Sequence, residues 1–127
     1  MRRLLVPALG LLLAGVFVIA ISCSKSTSPA GGGGGGALEL NSGTLVNGAS
    51  YSHVFANAAV YGYHCQIHGT GMAGSVTVAG GGADSMLVSV GPGGTLSYSP
   101  NAVTIKPGGT VRWINVSGGT NHTVTSN

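Results

Sequence analysis

Charged side chains are scarce in this chain of 127 residues, which contains five lysines and arginines and two acidic residues. Three of the basic residues fall within the first 25 positions. The rest of the chain contains two basic residues, Lys106 and Arg112, and two acidic residues, Glu39 and Asp84, so its net charge is close to zero. It offers neither a basic patch for nucleic acid nor a strong field to steer charged partners. The composition therefore excludes nucleic acid as a partner.

Helical periodicity is absent from residue 37 onward, where glycine, serine, threonine and valine dominate. Short alternating runs predict strands, and segments such as VNG, GGGADS, GPGG, SPN, KPGG and SGGTN predict the turns between them. The predicted strands are 50–55, 60–65, 74–78, 86–90, 102–105 and 110–116. This spacing indicates one all-β domain over 37–127, either an antiparallel β-sandwich or a small barrel.

The first 36 residues differ in composition from this domain. Two arginines precede an apolar run over 4–21, which predicts a secretory signal peptide over 1–22. The AISC sequence that ends at Cys23 resembles a bacterial lipobox, so Cys23 is predicted to carry lipid at the start of a flexible tether over 23–36. An uncleaved membrane-anchoring helix is the alternative. Both interpretations place the domain outside the cytoplasm, in the cell envelope or periplasm of a bacterial-type cell and held at a membrane.

Cysteine is almost absent, with two residues in the whole chain. Exported proteins normally pair their cysteines. With Cys23 assigned to lipid, Cys65 has no partner for a disulfide. A thiol in an oxidising compartment is prone to oxidation, and a bound metal would protect it.

Cys65 lies in the segment YHCQIHGTGMAG, which brings a thiol, an imidazole and a thioether together within eight residues. The glycine-rich stretch after Cys65 can fold His68 and Met72 back toward the sulfur. A thiolate and imidazoles with a weak thioether are the donors of a blue-copper site. Taken singly, the three residues could be a buried thiol, a loop histidine and a core methionine. Their spacing between two strands favours a joint metal site.

The segment VYGYHCQIHGTGMAGSVTV resembles the copper loop of the cupredoxins, especially plastocyanin and amicyanin. Those families have an aromatic-rich strand, Cys-x2-His, a methionine a few residues later and Gly-x-Val-x-Val. Tyr61 stands where such proteins often have a tyrosine corner. The resemblance implies a Greek-key β-sandwich with one type 1 copper ion, for which Cys65, His68 and Met72 would supply three of the four ligands.

In that family the remaining ligand is a histidine that precedes the copper loop. Here only His53 and His64 precede Cys65, and strand alternation puts His64 on the opposite face from the sulfur. Neither is a convincing ligand. The downstream segment YSPNAVTIKPGGTVRWIN resembles the N-terminal half of a cupredoxin, and the histidine that follows it in NHTV is His122. The resemblance therefore implies His122 as the missing ligand.

The two halves of the family pattern then occur in reversed order. The family's C-terminal half corresponds to 37–78 and its N-terminal half to 86–127, joined by a glycine-rich linker over 79–85. A circular permutation would give this order, because the termini of such sandwiches lie close together and new ends can open in an exposed loop. A fragment of a tandem array is the alternative, which would leave exposed strand edges.

Two departures from the family pattern concern the chemistry. Thr123 follows the first histidine where the family often has asparagine, so the hydrogen bonds around the site are expected to differ. No His-x-His pair occurs in the sequence, which argues against the additional copper sites of oxidases. The resemblance thus implies an electron carrier rather than an enzyme.

The expected function is transfer of single electrons between redox protein partners by a lipid-anchored monomer. His68 is the expected route for electrons, within a docking surface of low charge formed by Gly69, Gly71 and Ala73. His64 is either a second route or a solvated strand residue. Copper storage or delivery with the same ligands is one alternative function, and a metal-free surface β-sandwich is another.

Overall fold

The structure, a computed structural model, describes residues 38–127. The predicted signal peptide (1–22), Cys23 and the tether (23–36) lie outside the described residues. Six strands follow one another along the chain: β1 (Ser50–Phe55), β2 (Val60–Cys65), β3 (Gly69–Val90), β4 (Tyr98–Ser99), β5 (Ala102–Asn115) and β6 (Thr125–Ser126). One 3-10 turn spans Pro92–Gly94, and no α-helix occurs between residues 38 and 127. The prediction of an all-β domain is confirmed. The part of the chain described here contains no helix able to span a membrane.

The strands form one curled, mixed sheet in the order β1-β5-β3-β2-β6, with β4 paired to β3. β1 and β2 have the predicted bounds. The expectation of a purely antiparallel arrangement is wrong, because the two longest strands, β3 and β5, run parallel in the centre of the sheet. The other strand pairs are antiparallel.

The two long strands also correct the predicted turns. GGGADS, predicted as a turn within the linker 79–85, continues β3 between the predicted strands 74–78 and 86–90, with an irregular pairing between Val78 and Ser85. KPGG continues β5 in the same way. The glycines serve here for close approach of two backbones rather than for chain reversal. A Cβ on Gly82 in β3 would lie 2.1 Å from the carbonyl carbon of Ile105 in β5, and one on Gly109 in β5 would lie 3.1 Å from the carbonyl oxygen of Asp84 in β3.

The core lies on one face of the curled sheet, because side chains alternate along each strand. Trp113, Tyr63 and Phe55 are its largest fully buried side chains. The ring of Tyr63 packs edge-on against Trp113 at 5.4 Å and against Tyr98 at 4.8 Å between centroids. Two residues beyond Tyr63 on the same face, Cys65 is buried at the end of β2, as strand alternation predicts.

The C-terminal segment closes the arrangement around that end of β2. β6 pairs with β2 through Tyr63–Ser126 and His64–Thr125. On its other side, residues 40–45 pair with the same segment, since the backbone N–H groups of Ser42 and Ser126 donate to Val124 and Leu40. The last residues of the chain therefore lie between its first described residues and β2.

Candidate metal centre

Three side chains with metal-binding atoms converge at the end of β2. Sγ of Cys65 lies 3.3 Å from Nδ1 of His68 and 3.9 Å from Nδ1 of His122. All three donor atoms fall within 4.8 Å of one another. Cys65 and His122 are fully buried, and His68 is partly exposed. The group is thus accessible from one side only, at His68.

The separations suit a single ion bound by all three atoms. With bonds of about 2.3 Å to sulfur and about 2.0 Å to nitrogen, as in thiolate–imidazole zinc sites, two donors in a trigonal plane would be about 3.7 Å apart. The two measured sulfur–nitrogen distances, 3.3 and 3.9 Å, bracket this value. The donors are therefore close to chelating positions, and the residues present fit a bound metal ion.

Met72 adds a thioether near this group. It lies in β3 just after the loop that carries His68, is 1% exposed, and faces the same core as Cys65. The turn over residues 66–68 brings the two elements together, with the N–H of His68 donating to the carbonyl of Cys65 at 3.3 Å. Glycine at 69 supports this turn with a φ of +74°, in the left-handed region.

Thr123 connects the sulfur-bearing loop to the C-terminal segment. Its backbone N–H donates to Sγ of Cys65 at 3.3 Å, and its Oγ1 accepts the N–H of Gln66 at 2.8 Å. Thr125 donates a further hydrogen bond to the same hydroxyl at 3.3 Å. Thr123, which stands where the family often has asparagine, therefore links the two segments through its own hydroxyl and backbone.

Two buried side chains hold the segments that carry His122. Nδ2 of Asn115 donates to the carbonyls of Leu45 and Thr120, at 2.7 and 2.8 Å. The hydroxyl of Tyr98 donates to the carbonyl of Thr123 at 2.5 Å. Sequence reasoning missed both roles. Asn115 ends the W-x-N part of the family pattern, so it could have been singled out, whereas nothing in the sequence connects Tyr98 with Thr123.

His122 itself is fixed through its backbone. Its N–H donates to the carbonyl of Leu45 at 3.1 Å, and its carbonyl accepts the N–H of Leu45 at 2.8 Å. Burial lowers the pKa of His122, and the nearby His68 lowers it further. The ring is therefore neutral at neutral pH and can offer a lone pair from Nδ1 to a metal.

The other two histidines lie outside the group. His64 points away from Cys65, as strand alternation predicts, and its Nδ1 lies 2.7 Å from Oδ1 of Asn127. His53 contacts Oε1 of Glu39 at 2.7 Å through Nε2. The four residues predicted as ligands are thus brought together, and the two histidines judged unconvincing are not among them.

No protein-family model matches the chain, and searches of curated proteins and of solved structures found no match either. The assignment of the site therefore depends on its own residues and geometry. They define a buried group of cysteine and two histidines beside a methionine, which is suited to binding a metal ion.

Proposed function

We propose that this protein is an electron carrier of the cupredoxin type, with one copper ion bound by Cys65, His68, His122 and Met72. The observation that supports this most directly is the convergence of the sulfur and both Nδ1 atoms within 4.8 Å in a largely buried setting. Two imidazoles, one thiolate and a weak thioether are the ligands of type 1 copper. Zinc sites instead combine thiolates, imidazoles and carboxylates, without methionine.

A copper ion in this position would supply one-electron chemistry through the Cu(I)/Cu(II) couple. The protein's part is to hold the donors in place in both oxidation states. Thr123 fixes the sulfur by its N–H, and Leu45 fixes the backbone of His122 on both sides. A site that moves little between two oxidation states exchanges electrons with little reorganisation, which favours electron transfer over catalysis.

The surface around His68 supports exchange with another redox protein. The loops 46–49, 66–68, 91–97 and 116–121 contain no charged residue. Each exposes one large apolar side chain: Val46, Ile67, Leu96 and Val116. Hydrogen bonds join two of these loops directly, as from the N–H of Gly118 to Oδ1 of Asn47 at 2.9 Å. We infer that an uncharged face of the partner docks here, next to the exposed Gly69, Gly71 and Ala73.

The circular permutation and the cell-envelope location are part of the same proposal. We propose further that 37–78 and 86–127 together make one circularly permuted Greek-key cupredoxin domain. The proposal starts from the observation that the C-terminal segment pairs with residues 40–45 and with β2. The signal peptide and the lipid on Cys23 would keep this monomeric domain at a membrane. Globomycin-sensitive processing at Cys23 in a bacterial host, followed by mass spectrometry of the mature N-terminus, tests the anchor.

Anaerobic titration of the purified chain with copper(II), monitored by visible absorption and EPR spectroscopy, tests the function. One equivalent of copper should give an intense blue thiolate-to-copper band and a small copper hyperfine splitting, and both signals should vanish and return with reduction and reoxidation. A pale, tetragonal signal would instead indicate storage or delivery of copper. Absence of stoichiometric binding would leave a structural β-domain.

A further inference from the structure

Gly91 lies directly against the ring of His122. It is buried, and its φ of +65° is in the left-handed region. A Cβ placed on Gly91 would lie 2.5 Å from Nε2 of His122 and 2.8 Å from Cβ of Ser117. Nε2 is itself fully buried and has no hydrogen-bond partner among residues 38–127. The ring therefore occupies space that is available only because residue 91 has no side chain.

We propose that Gly91 is a positioning residue for the metal centre, which seats the imidazole of His122 so that Nδ1 faces Sγ of Cys65. The importance of this seat for metal binding rests on the proposed function, in which His122 is a ligand. Gly91 is the first residue of GPGG, which sequence analysis predicted only as a turn. In this proposal the turn also positions a side chain of the site.

Hydrogen bonds hold the backbone on both sides of this contact. The N–H of Gly91 donates to the carbonyl of Ser97 at 2.9 Å, and its carbonyl accepts the N–H of Gly94 at 3.0 Å. Next to it, the N–H of Val116 donates to Val90 at 2.9 Å. His122 is held by its reciprocal bonds with Leu45. A methyl group at position 91 would therefore press on the imidazole ring and on Cβ of Ser117.

The outer nitrogen of the ring, Nε2, faces Gly91 and has no hydrogen-bond acceptor among the described residues. When Nδ1 binds a metal, Nε2 carries the proton, and in most metal-binding histidines this N–H donates to a carboxylate, carbonyl or water that makes the ligand more basic. His122 lacks such an acceptor among the described residues.

Gly93 provides a matched control in the same turn. Its φ is +64°, but a Cβ there would meet nothing within 4 Å. Alanine at either position imposes the same backbone strain, since left-handed conformations disfavour any Cβ. Gly91→Ala adds contacts with His122 and with Cβ of Ser117, whereas Gly93→Ala adds none. Removing the ring of His122 from both variants then separates the His122 contact from the Ser117 contact.

A double-mutant cycle tests the seat in the metal-free protein. Denaturant unfolding of the full chain is compared for Gly91→Ala and Gly93→Ala, each with histidine and with alanine at position 122. We expect Gly91→Ala to destabilise much less when the ring of His122 has been removed, or to fold only then. We expect Gly93→Ala to cost the same in both backgrounds. An equal cost of Gly91→Ala in both backgrounds, or no folded protein in either, would overturn the proposal.

Copper spectra separate this proposal from the function on which it depends. If the wild-type chain gives the blue signal, we expect Gly93→Ala to keep it and Gly91→Ala to lose it or to change its hyperfine splitting. Identical spectra and reduction potentials for the two variants would overturn the positioning role while leaving the proposed function intact. Failure of the wild-type chain itself to bind copper would overturn the proposed function, and the unfolding cycle would still decide whether Gly91 seats His122.

Discussion

The backbone N–H of Thr123 donates to Sγ of Cys65 over 3.3 Å, although the two residues are 58 positions apart in the chain. A hydrogen bond from an amide to a charged acceptor is stronger than one to a neutral acceptor, so this bond would hold a metal-bound sulfur firmly in place. The same residue accepts the N–H of Gln66. The C-terminal segment and the end of β2 are therefore coupled through the contact of Cys65 with His122 and through Thr123.

Thr123→Val tests the hydrogen bonds that the hydroxyl of Thr123 accepts. Valine has nearly the shape of threonine but leaves the N–H of Gln66 and the hydroxyl of Thr125 without their acceptor. We expect a loss of about 1 to 2 kcal/mol in the free energy of unfolding, the typical cost of an unsatisfied buried donor. Thr123→Ser keeps the hydroxyl and should lose less. Denaturant titration of both variants measures the difference, and equal losses would contradict the role assigned to the hydroxyl.

Tyr98→Phe and Tyr63→Phe form a matched pair within one aromatic cluster. The hydroxyl of Tyr98 donates to the carbonyl of Thr123, whereas the hydroxyl of Tyr63 is buried without a hydrogen-bond partner among the described residues. Tyr98→Phe should reduce the free energy of unfolding by about 1 to 2 kcal/mol. Tyr63→Phe should be neutral or slightly stabilising, because it removes an unsatisfied polar atom. A larger loss for Tyr63→Phe in thermal or denaturant unfolding would refute this assignment.

Stability should decline at alkaline pH. Burial raises the pKa of Tyr63 to about 12, and it also raises the pKa of Tyr98, with smaller contributions from Cys65 and Tyr63. The unfolded chain therefore releases these phenol protons first, at about pH 10. The stability conferred by the protonated phenols is complete below that pH and is lost as the pH rises toward the folded-state pKa values. Ultraviolet titration should show both tyrosines ionising only with unfolding, and early ionisation in the folded protein would contradict their burial.

Met72→Leu separates the thioether from the packing of the core. The two side chains have similar volumes, so the metal-free protein should change in stability by less than about 1.5 kcal/mol. If the thioether is a weak axial ligand, its removal should leave copper bound and raise the reduction potential, because a donor that favours Cu(II) is lost. Potentiometric titration of both proteins measures the shift. An unchanged potential would show that Met72 only fills the core.

The sequence was sufficient for the local half of the site. The alternation over Tyr61, Tyr63 and Cys65 predicts which side chains face the core, and the tight spacing of Cys65 and His68 predicts their contact. His122 could be assigned only through the family pattern, because local patterns carry no information on which distant segments pair. The backbone hydrogen bonds between His122 and Leu45, which lie far apart in the chain, are an example of such distant pairing.

The incorrect predictions arose from glycine. GGGADS and KPGG were predicted as turns because glycine is one of the residues most typical of turns. In the folded protein, Gly82 and Gly109 instead allow β3 and β5 to pass each other at very close range. A glycine-rich segment looks the same in the sequence whether it forms a turn or lies in a strand that closely approaches another strand. The difference depends on the neighbouring strand in the folded protein. The role of Gly91 was missed for the same reason.

The central claim is that Cys65 and His122 bind one copper ion together, and the visible and EPR spectra of three copper(II)-loaded variants test it most directly. Cys65→Ser and His122→Ala should both lose the blue band. His64→Ala should keep it, because His64 adjoins Cys65 in sequence but lies on the opposite face of β2, bonded to Asn127. A blue band that persists in His122→Ala, or that disappears in His64→Ala, would contradict the account.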